Sequence, residues 1–439
     1  MVEVGVVSKD EKIIKRLTEI CKEFDYSIQF WPDLMTFMES DPDCMVVITN
    51  ASENKESVDA AAECAQTSKA TCSSAFIVCV VEKETNKDNL PFLKKSGADL
   101  ILLEDELFST SKLEFLLTQE LKARYYPIKT NELKGETELT FHLYHLLPSR
   151  GKFLPCAFPG SVLTDTKLSR LSVSNELYIA RREIKDFKKY NEKHVPQSME
   201  SRCRIRFLSL CASYSDLVFL LTDQGEVASF EKGKKLLEDC KSLCNELIAT
   251  VGEFDDVWKI INNSAIGNMA SVERSTAVAT YAVTFGLNME LESALDDVMV
   301  CSLLSDIGML FLAPNILRKL RDDVKLSSDE QSVYEFHPMK SVSVALEHKL
   351  PMTPALRKII EMTHERCDGR GFPMKPLADR IPLESQLIQF CQEFDSKNLI
   401  KIGKLRKDPF ELRQEMIKEE IKSNKYSPKF SEKISCFLK

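Results

Sequence analysis

Residues 301–395 decide the fold. There the chain reads CSLLSDIGMLFLAPNILRKL (301–320), LSSDEQSVYEFHP (326–338), MTHERCDGRGFP (362–373) and IPLESQLIQFCQEFD (381–395). Ser327 and Glu330 have the spacing of a capping box, which predicts a helix start leading to His337. Gly308 permits close approach of two helices, having no side chain to hold them apart. Asp368, Gly369, Gly371 and Pro373 predict a turn that needs flexible and then rigid backbone. From about residue 200 onward the apolar pattern stays helical, so the C-terminal part is expected to be an all-α bundle.

Ahead of that stretch, Leu236, Cys240, Leu243, Leu247, Val251, Phe254, Val257 and Ile261 recur at steps of three and four. The spacing predicts a long amphipathic helix over 236–261, closed by Asn262, Asn263 and Ser264. Its seam suits either a homodimer contact or packing within one subunit.

The chain has 439 residues, more than one core usually supports, so two to three domains are expected. Hydrophobic content of 44% with 29% charged residues describes a folded globular protein. A net charge of −8 argues against DNA binding through bulk electrostatics, which needs clustered Lys and Arg. No run of about 18 uninterrupted apolar residues occurs, and the N-terminus has no signal-peptide pattern, so a cytoplasmic protein without a membrane span is expected. The 14 cysteines form no C-x-x-C pair, and Cys240 and Cys244 read as small buried hydrophobes on one helix face.

Residues 1–122 alternate apolar strands (VEVGVV, CMVVIT, FIVCVV and ADLILL) with amphipathic helices. That alternation predicts an α/β doubly wound parallel sheet covered on both faces. The arrangement is similar to a response-regulator receiver. The resemblance implies an acidic cluster after the first strand, an acceptor Asp on the strand over 45–50 and a late Lys. Here Ser8 and Lys9 hold the first set with Asp10 beside them, Ile48, Thr49 or Asn50 the acceptor position, and Glu104 the Lys position. A pseudo-receiver serving as an interaction module is the expectation.

Residues 123–195 change character. Pro127, Pro148, Pro155 and Pro159 punctuate them as in loops or a small β-containing module, with NELYIAR as one strand. His142 and His145 read as structural, and Arg150 and Lys152 as an exposed turn. Residues 196–262 are read as a helical linker and 263–439 as the last domain.

The quoted motifs of 301–395 resemble the HD-GYP family of cyclic-di-GMP phosphodiesterases, in order, spacing and turn residues. The resemblance implies an HD-domain helical bundle whose His and Asp residues grip iron or manganese. It also names the losses. Arg274 takes the place of the first His, Ser305 that of the motif His, and Met309 that of a phosphate-contacting Lys. Thr363 replaces the first His of the HH pair, and Gln392 replaces a late Asp. Asp306, His337 and His364 survive as vestigial metal-site positions, and Gly371, Phe372 and Pro373 stand for the GYP loop. Off the motif, His348 reads as exposed.

Arg274 would bring a fixed positive charge to the former metal site. No bound metal, no cofactor and no catalytic residue are therefore expected. The sequence reading is a degenerate HD-GYP-like pseudoenzyme in bacterial cyclic-di-GMP-type signalling, acting through protein partners. Two alternatives stay open: a receptor that binds cyclic-di-GMP without hydrolysis, and a phosphodiesterase with a reduced metal site.

Overall fold

The computed structural model describes residues 2–72, 75–83, 89–121, 123–147, 152–172, 177–196, 198–225, 230–250, 271–398 and 409–438. The chain forms two compact units, one of residues 1–122, 217–233 and 307–351, the other of residues 123–216, 234–306 and 352–439. The segments read from the sequence are contiguous; these units are not.

The first unit is built on five parallel strands: β1 (Val2–Val7), β2 (Ile28–Trp31), β3 (Cys44–Ala51), β4 (Phe76–Val81) and β5 (Leu100–Leu103). Their order is β2-β1-β3-β4-β5, a common doubly wound arrangement. Four of these strands correspond to apolar runs in the sequence. The fifth, β2, is a correction: its four residues IQFW include an exposed Gln29 and carry no long apolar signal.

Val46, Val47, Ile48, Val78 and Val80 are buried between the layers, as a sheet covered on both faces requires. After β1, the Asp10 carboxylate caps helix Glu11–Phe24, accepting from Lys12 N (2.8 Å) and Ile13 N (3.1 Å). Glu104 opens helix Glu104–Ser109, and burial together with the Asp10 charge pushes its carboxyl above the usual range. Thr49 is buried near the end of β3.

The edge of β5 is not left open. Gln224 N donates to Ile101 O (3.0 Å), and Asp223 Oδ1 accepts from Ile101 N (3.0 Å), so residues 223–225 cover the unpaired edge. Lys94 anchors Asp223 at 2.6 Å.

In the segment 307–351 the expected capping box forms: Ser327 Oγ accepts from Glu330 N (3.3 Å) and Glu330 Oε2 from Ser327 N (2.8 Å). Gly308 does what its lack of a side chain allows. A Cβ there would lie 2.1 Å from His337 O, and Gly308 N donates to Ser341 Oγ at 2.8 Å. His348, read as exposed, is half-buried under its own helix end, and burial holds its imidazole below the ordinary range.

The second unit holds β6 (Tyr125–Ile128), β7 (Thr137–Glu138), β8 (Leu143–Leu147), β9 (Lys152–Ala157), β10 (Val162–Leu163) and β11 (Leu177–Ala180). Four pair antiparallel in the order β6-β11-β8-β9, and β7 pairs with β10. Pro127 and Pro155 lie inside β6 and β9, the two edge strands, where a missing N–H breaks no ladder. His142 Nδ1 sits 2.7 Å from Glu183 Oε1, a local structural pairing. Arg150 and Gly151 lie outside the described residues.

Helix Met199–Thr222 ties this sheet to the bundle through a buried ion pair. Arg204 Nε reaches Glu132 Oε1 at 3.1 Å, its Nη2 contacts Oε2, and Nη1 donates to Pro127 O at 2.7 Å. By length and composition this helix could cross a membrane, a property the sequence reading had not found. Buried Ser209, Ser213 and Ser215 interrupt its apolar run, and 83% of its apolar window is buried, as in a core helix.

Helix Phe230–Thr250 buries Leu237, Cys240, Cys244 and Leu247. The seam therefore passes through Leu237 and Cys244, whereas Leu236 and Leu243, named from the sequence, are only half-buried. Burial pushes the Cys244 thiol up to about 12, so it is a protonated core residue. Residues 251–264, which carry the rest of the expected seam and its stop, lie outside the described residues.

The bundle proper comprises Ser271–Asn288, Leu295–Leu304, Pro354–Glu361, Leu383–Asn398, Pro409–Lys422 and Pro428–Ile434. Edge-to-face pairs of Tyr281 with Phe394 (5.4 Å) and Phe285 with Phe390 (5.5 Å) lie in its core.

Candidate functional site

Three helices of the second unit bring the substituted residues together. Ser305 caps the C-terminal end of Leu295–Leu304, and Asp306 follows it. Gln392 and Asp395 lie three residues apart on Leu383–Asn398, hence on one face. Arg274 comes from the first turn of Ser271–Asn288.

Gln392 Nε2 lies 3.1 Å from both Asp306 oxygens and 3.2 Å from Ser305 Oγ. An amide with two hydrogens thus stands against a carboxylate, where a metal ligand would carry negative charge. Arg274 Nε donates to Asp395 Oδ2 at 2.9 Å. The Asp395 side chain is only 4% exposed, while that of Arg274 is 38% exposed. Burial raises the Asp395 pKa above the usual carboxylate range, Arg274 opposes that rise, and the Asp306 charge adds to it.

His364 Nε2 stands 3.8 Å from Asp306 Oδ1, beyond a hydrogen bond and within ion-pair reach. Its ring stacks on Phe372 at 4.8 Å and 19°. Thr363 is fully buried and turns its hydroxyl to Ile359 O (3.0 Å), a helix carbonyl that Ser385 Oγ also reaches (2.8 Å). Thr363, in the turn just past helix Pro354–Glu361, thus spends its hydroxyl on that helix's end.

Two expected positions belong to the first unit. His337 is buried there, with Nδ1 2.7 Å from Tyr334 O, so Nδ1 carries the proton. Met309 packs against the apolar group of Leu312, Ile316 and Leu326.

The turn after His364 is held from several sides. Arg366 forks onto Asp368 (2.9 and 2.5 Å), keeping that carboxyl below its usual range. Gly369 has φ +73°, and a Cβ on Gly371 would lie 2.4 Å from Arg366 N. The Phe372–Pro373 peptide is cis. Buried Glu365, retained from the motif, accepts from Met374 N (2.5 Å) and Lys375 N (2.9 Å).

The donor set does not fit a two-metal centre. Such a centre takes several neutral imidazoles and bridging carboxylates. Within the second unit, one carboxylate is met by an amide and the other by a guanidinium, with His364 the imidazole beside Asp306. What the arrangement can do is occupy both carboxylates with protein donors, an uncharged amide on Asp306 and a guanidinium on Asp395. Asp395 was overlooked as a site residue in the sequence; its three-residue spacing from Gln392 was the available signal.

Comparisons with known proteins agree with the bundle. A family model described as an HD domain matches residues 259–426. The 3'3'-cGAMP-specific phosphodiesterase 2 of Vibrio cholerae is 28% identical over 146 residues, 32% of this chain and 26% of that protein. The cyclic di-GMP phosphodiesterase response regulator RpfG of Xanthomonas campestris is 24% identical over 175 residues, 38% of this chain and 45% of that protein. The chain thus spans less than half the length of either relative. A solved structure, Bd1817, a HDG"Y"P protein from Bdellovibrio bacteriovorus, superposes with a TM-score of 0.46 at 14% identity, covering 72% of this chain and 99% of that one.

Proposed function

We propose that this chain is a cytoplasmic regulatory protein built on an HD-type phosphodiesterase scaffold. It does not hydrolyse phosphodiesters, and it acts through protein partners in cyclic-dinucleotide signalling. The observation that carries the reading is the engagement of both carboxylates by protein donors: the uncharged Gln392 amide on Asp306 and the Arg274 guanidinium on Asp395. A metal-activated water needs open coordination positions and anionic or imidazole ligands. A guanidinium fixed on the second carboxylate opposes both needs.

The parallel sheet is read in the same way, as a receiver-shaped interaction module. Asp10 is engaged as a helix cap, Ile48, Thr49 or Asn50 stands where an acceptor would, and Glu104 holds the position of the Lys. Similarity to two phosphodiesterases named for 3'3'-cGAMP and cyclic di-GMP supports the scaffold and the signalling context.

The test is turnover. With manganese or ferrous iron supplied, the full chain is expected to convert neither 3'3'-cGAMP nor cyclic di-GMP above a protein-free control. Metal-dependent product formation that disappears in Asp306→Ala would defeat the proposal. Equilibrium binding of the same nucleotides without metal identifies the receptor alternative, which the engagement of Arg274 by Asp395 disfavours.

A further inference from the structure

Past the turn, the segment MKPLADR (374–380) displays two large apolar side chains in solvent, Met374 at 47% and Leu377 at 67% exposure. Exposed apolar residues are ordinary when scattered. These two stand on a backbone fixed at both ends. Upstream, Glu365 binds Met374 N and Lys375 N, and Cys367 N donates to Lys425 O (2.8 Å). Lys375 itself adopts φ +51°, a left-handed conformation that a non-glycine residue rarely takes. Downstream, Arg380 N closes onto Leu377 O (3.0 Å), and Ile381 is buried.

Close to Met374 and Leu377 in the chain stand Arg370, Lys375 and Arg380, all exposed and, among the described residues, without an ion pair. Asp379 is the exposed acid within the segment 374–380. An otherwise acidic chain thus carries, in one segment on a fixed backbone, two exposed apolar side chains and an excess of exposed cations. Rigid anchors lose little entropy on docking, and interface energy concentrates in such anchors.

We propose that the 374–380 segment docks a protein partner through an apolar socket with an acidic rim, Met374 and Leu377 filling the socket and Arg370, Lys375 and Arg380 facing the rim. This rests on the reading that the chain acts through protein partners and names the surface that does so. Complementary charge sets partner choice and salt dependence. The three cations fall below the roughly four to eight that mark a lipid-binding segment, which favours protein over membrane.

The test uses the full chain and two synthetic amphipathic helical peptides of equal length. Both carry a Leu face; one has a Glu polar face, the other a Lys polar face. Fluorescence anisotropy is expected to show binding of the Glu peptide alone, weakening as salt rises. Leu377→Asp, and separately Arg370→Glu with Lys375→Glu, are expected to weaken it about tenfold or more, with unchanged circular dichroism because all three sites are exposed.

Equal binding of both peptides, or an unchanged affinity in Leu377→Asp, overturns the proposal. So does a Leu377-dependent association with phosphatidylglycerol vesicles or with a second copy in place of peptide binding. Turnover of cyclic dinucleotides by a chain that still binds the Glu peptide would defeat the proposed function and leave this surface standing.

Discussion

Replacing Arg204 by Met is expected to cost about 3–5 kcal/mol of stability, the loss that follows when one partner of a buried ion pair is removed. The Glu132 side chain is 0% exposed, and its carboxylate is met by the Arg204 fork. Met restores much of the apolar volume and none of the charge, so the variant leaves a carboxylate in a medium that solvates it poorly. It also leaves Pro127 O without the Nη1 donor on edge strand β6. Urea unfolding followed by circular dichroism measures the loss. Adding Glu132→Leu is expected to recover most of it, because an apolar pair of similar volume needs no partner. A loss below about 1 kcal/mol, the range of a solvent-exposed pair, would mean that Glu132 finds water or another donor.

Arg274→Ala is expected to produce a pH-dependent deficit. Asp395 already has a raised pKa from burial, and Arg274 is the group that holds it down. Without the guanidinium the folded value climbs further above the unfolded one, about 3.9. The folded protein then binds the Asp395 proton more tightly than the unfolded chain does. Stability from this group is fully present below about pH 4 and is lost as pH rises through the folded value. At pH 7 the buried unpaired carboxylate is expected to cost about 2–3 kcal/mol. Urea midpoints at pH 5 and pH 8 test the sign: the gap between wild type and variant widens toward pH 8, and Asp395→Asn in the variant background closes it. A gap that stays constant across that range would show that Arg274 acts through packing alone.

Much of the scaffold was legible because its signals are local. β4 is a continuous apolar run, and β1 and β3 are nearly so, as strands covered on both faces tend to be, and Ser327 with Glu330 announced a capping box that forms. β2 was not legible: four residues with one exposed Gln fall below the length at which alternation can be counted. The middle sheet was half hidden by Pro127 and Pro155, which interrupt a strand pattern yet are tolerated at sheet edges.

The long helix shows how a one-residue error rotates a seam. Leu236 and Leu237 are adjacent, and periodicity alone selected the half-buried one. The substituted ligand positions could be named from motif spacing, but their new partners could not. Arg274 and Asp395 are 121 residues apart, and Gln392 and Asp306 are 86 apart, so the engagement of each acid appears only in three dimensions. Thr363 and Met309 likewise gave no sign that one would turn its hydroxyl to a helix carbonyl and the other pack into an apolar group.

The metal content of the full chain, purified anaerobically and desalted before elemental mass spectrometry, tests the central claim most directly. Protein donors on Asp306 and Asp395 predict iron and manganese far below one ion per chain, unchanged in Asp306→Ala. Near-stoichiometric iron or manganese that falls in Asp306→Ala, His337→Ala or His364→Ala would contradict the account and return the site to metal-dependent chemistry.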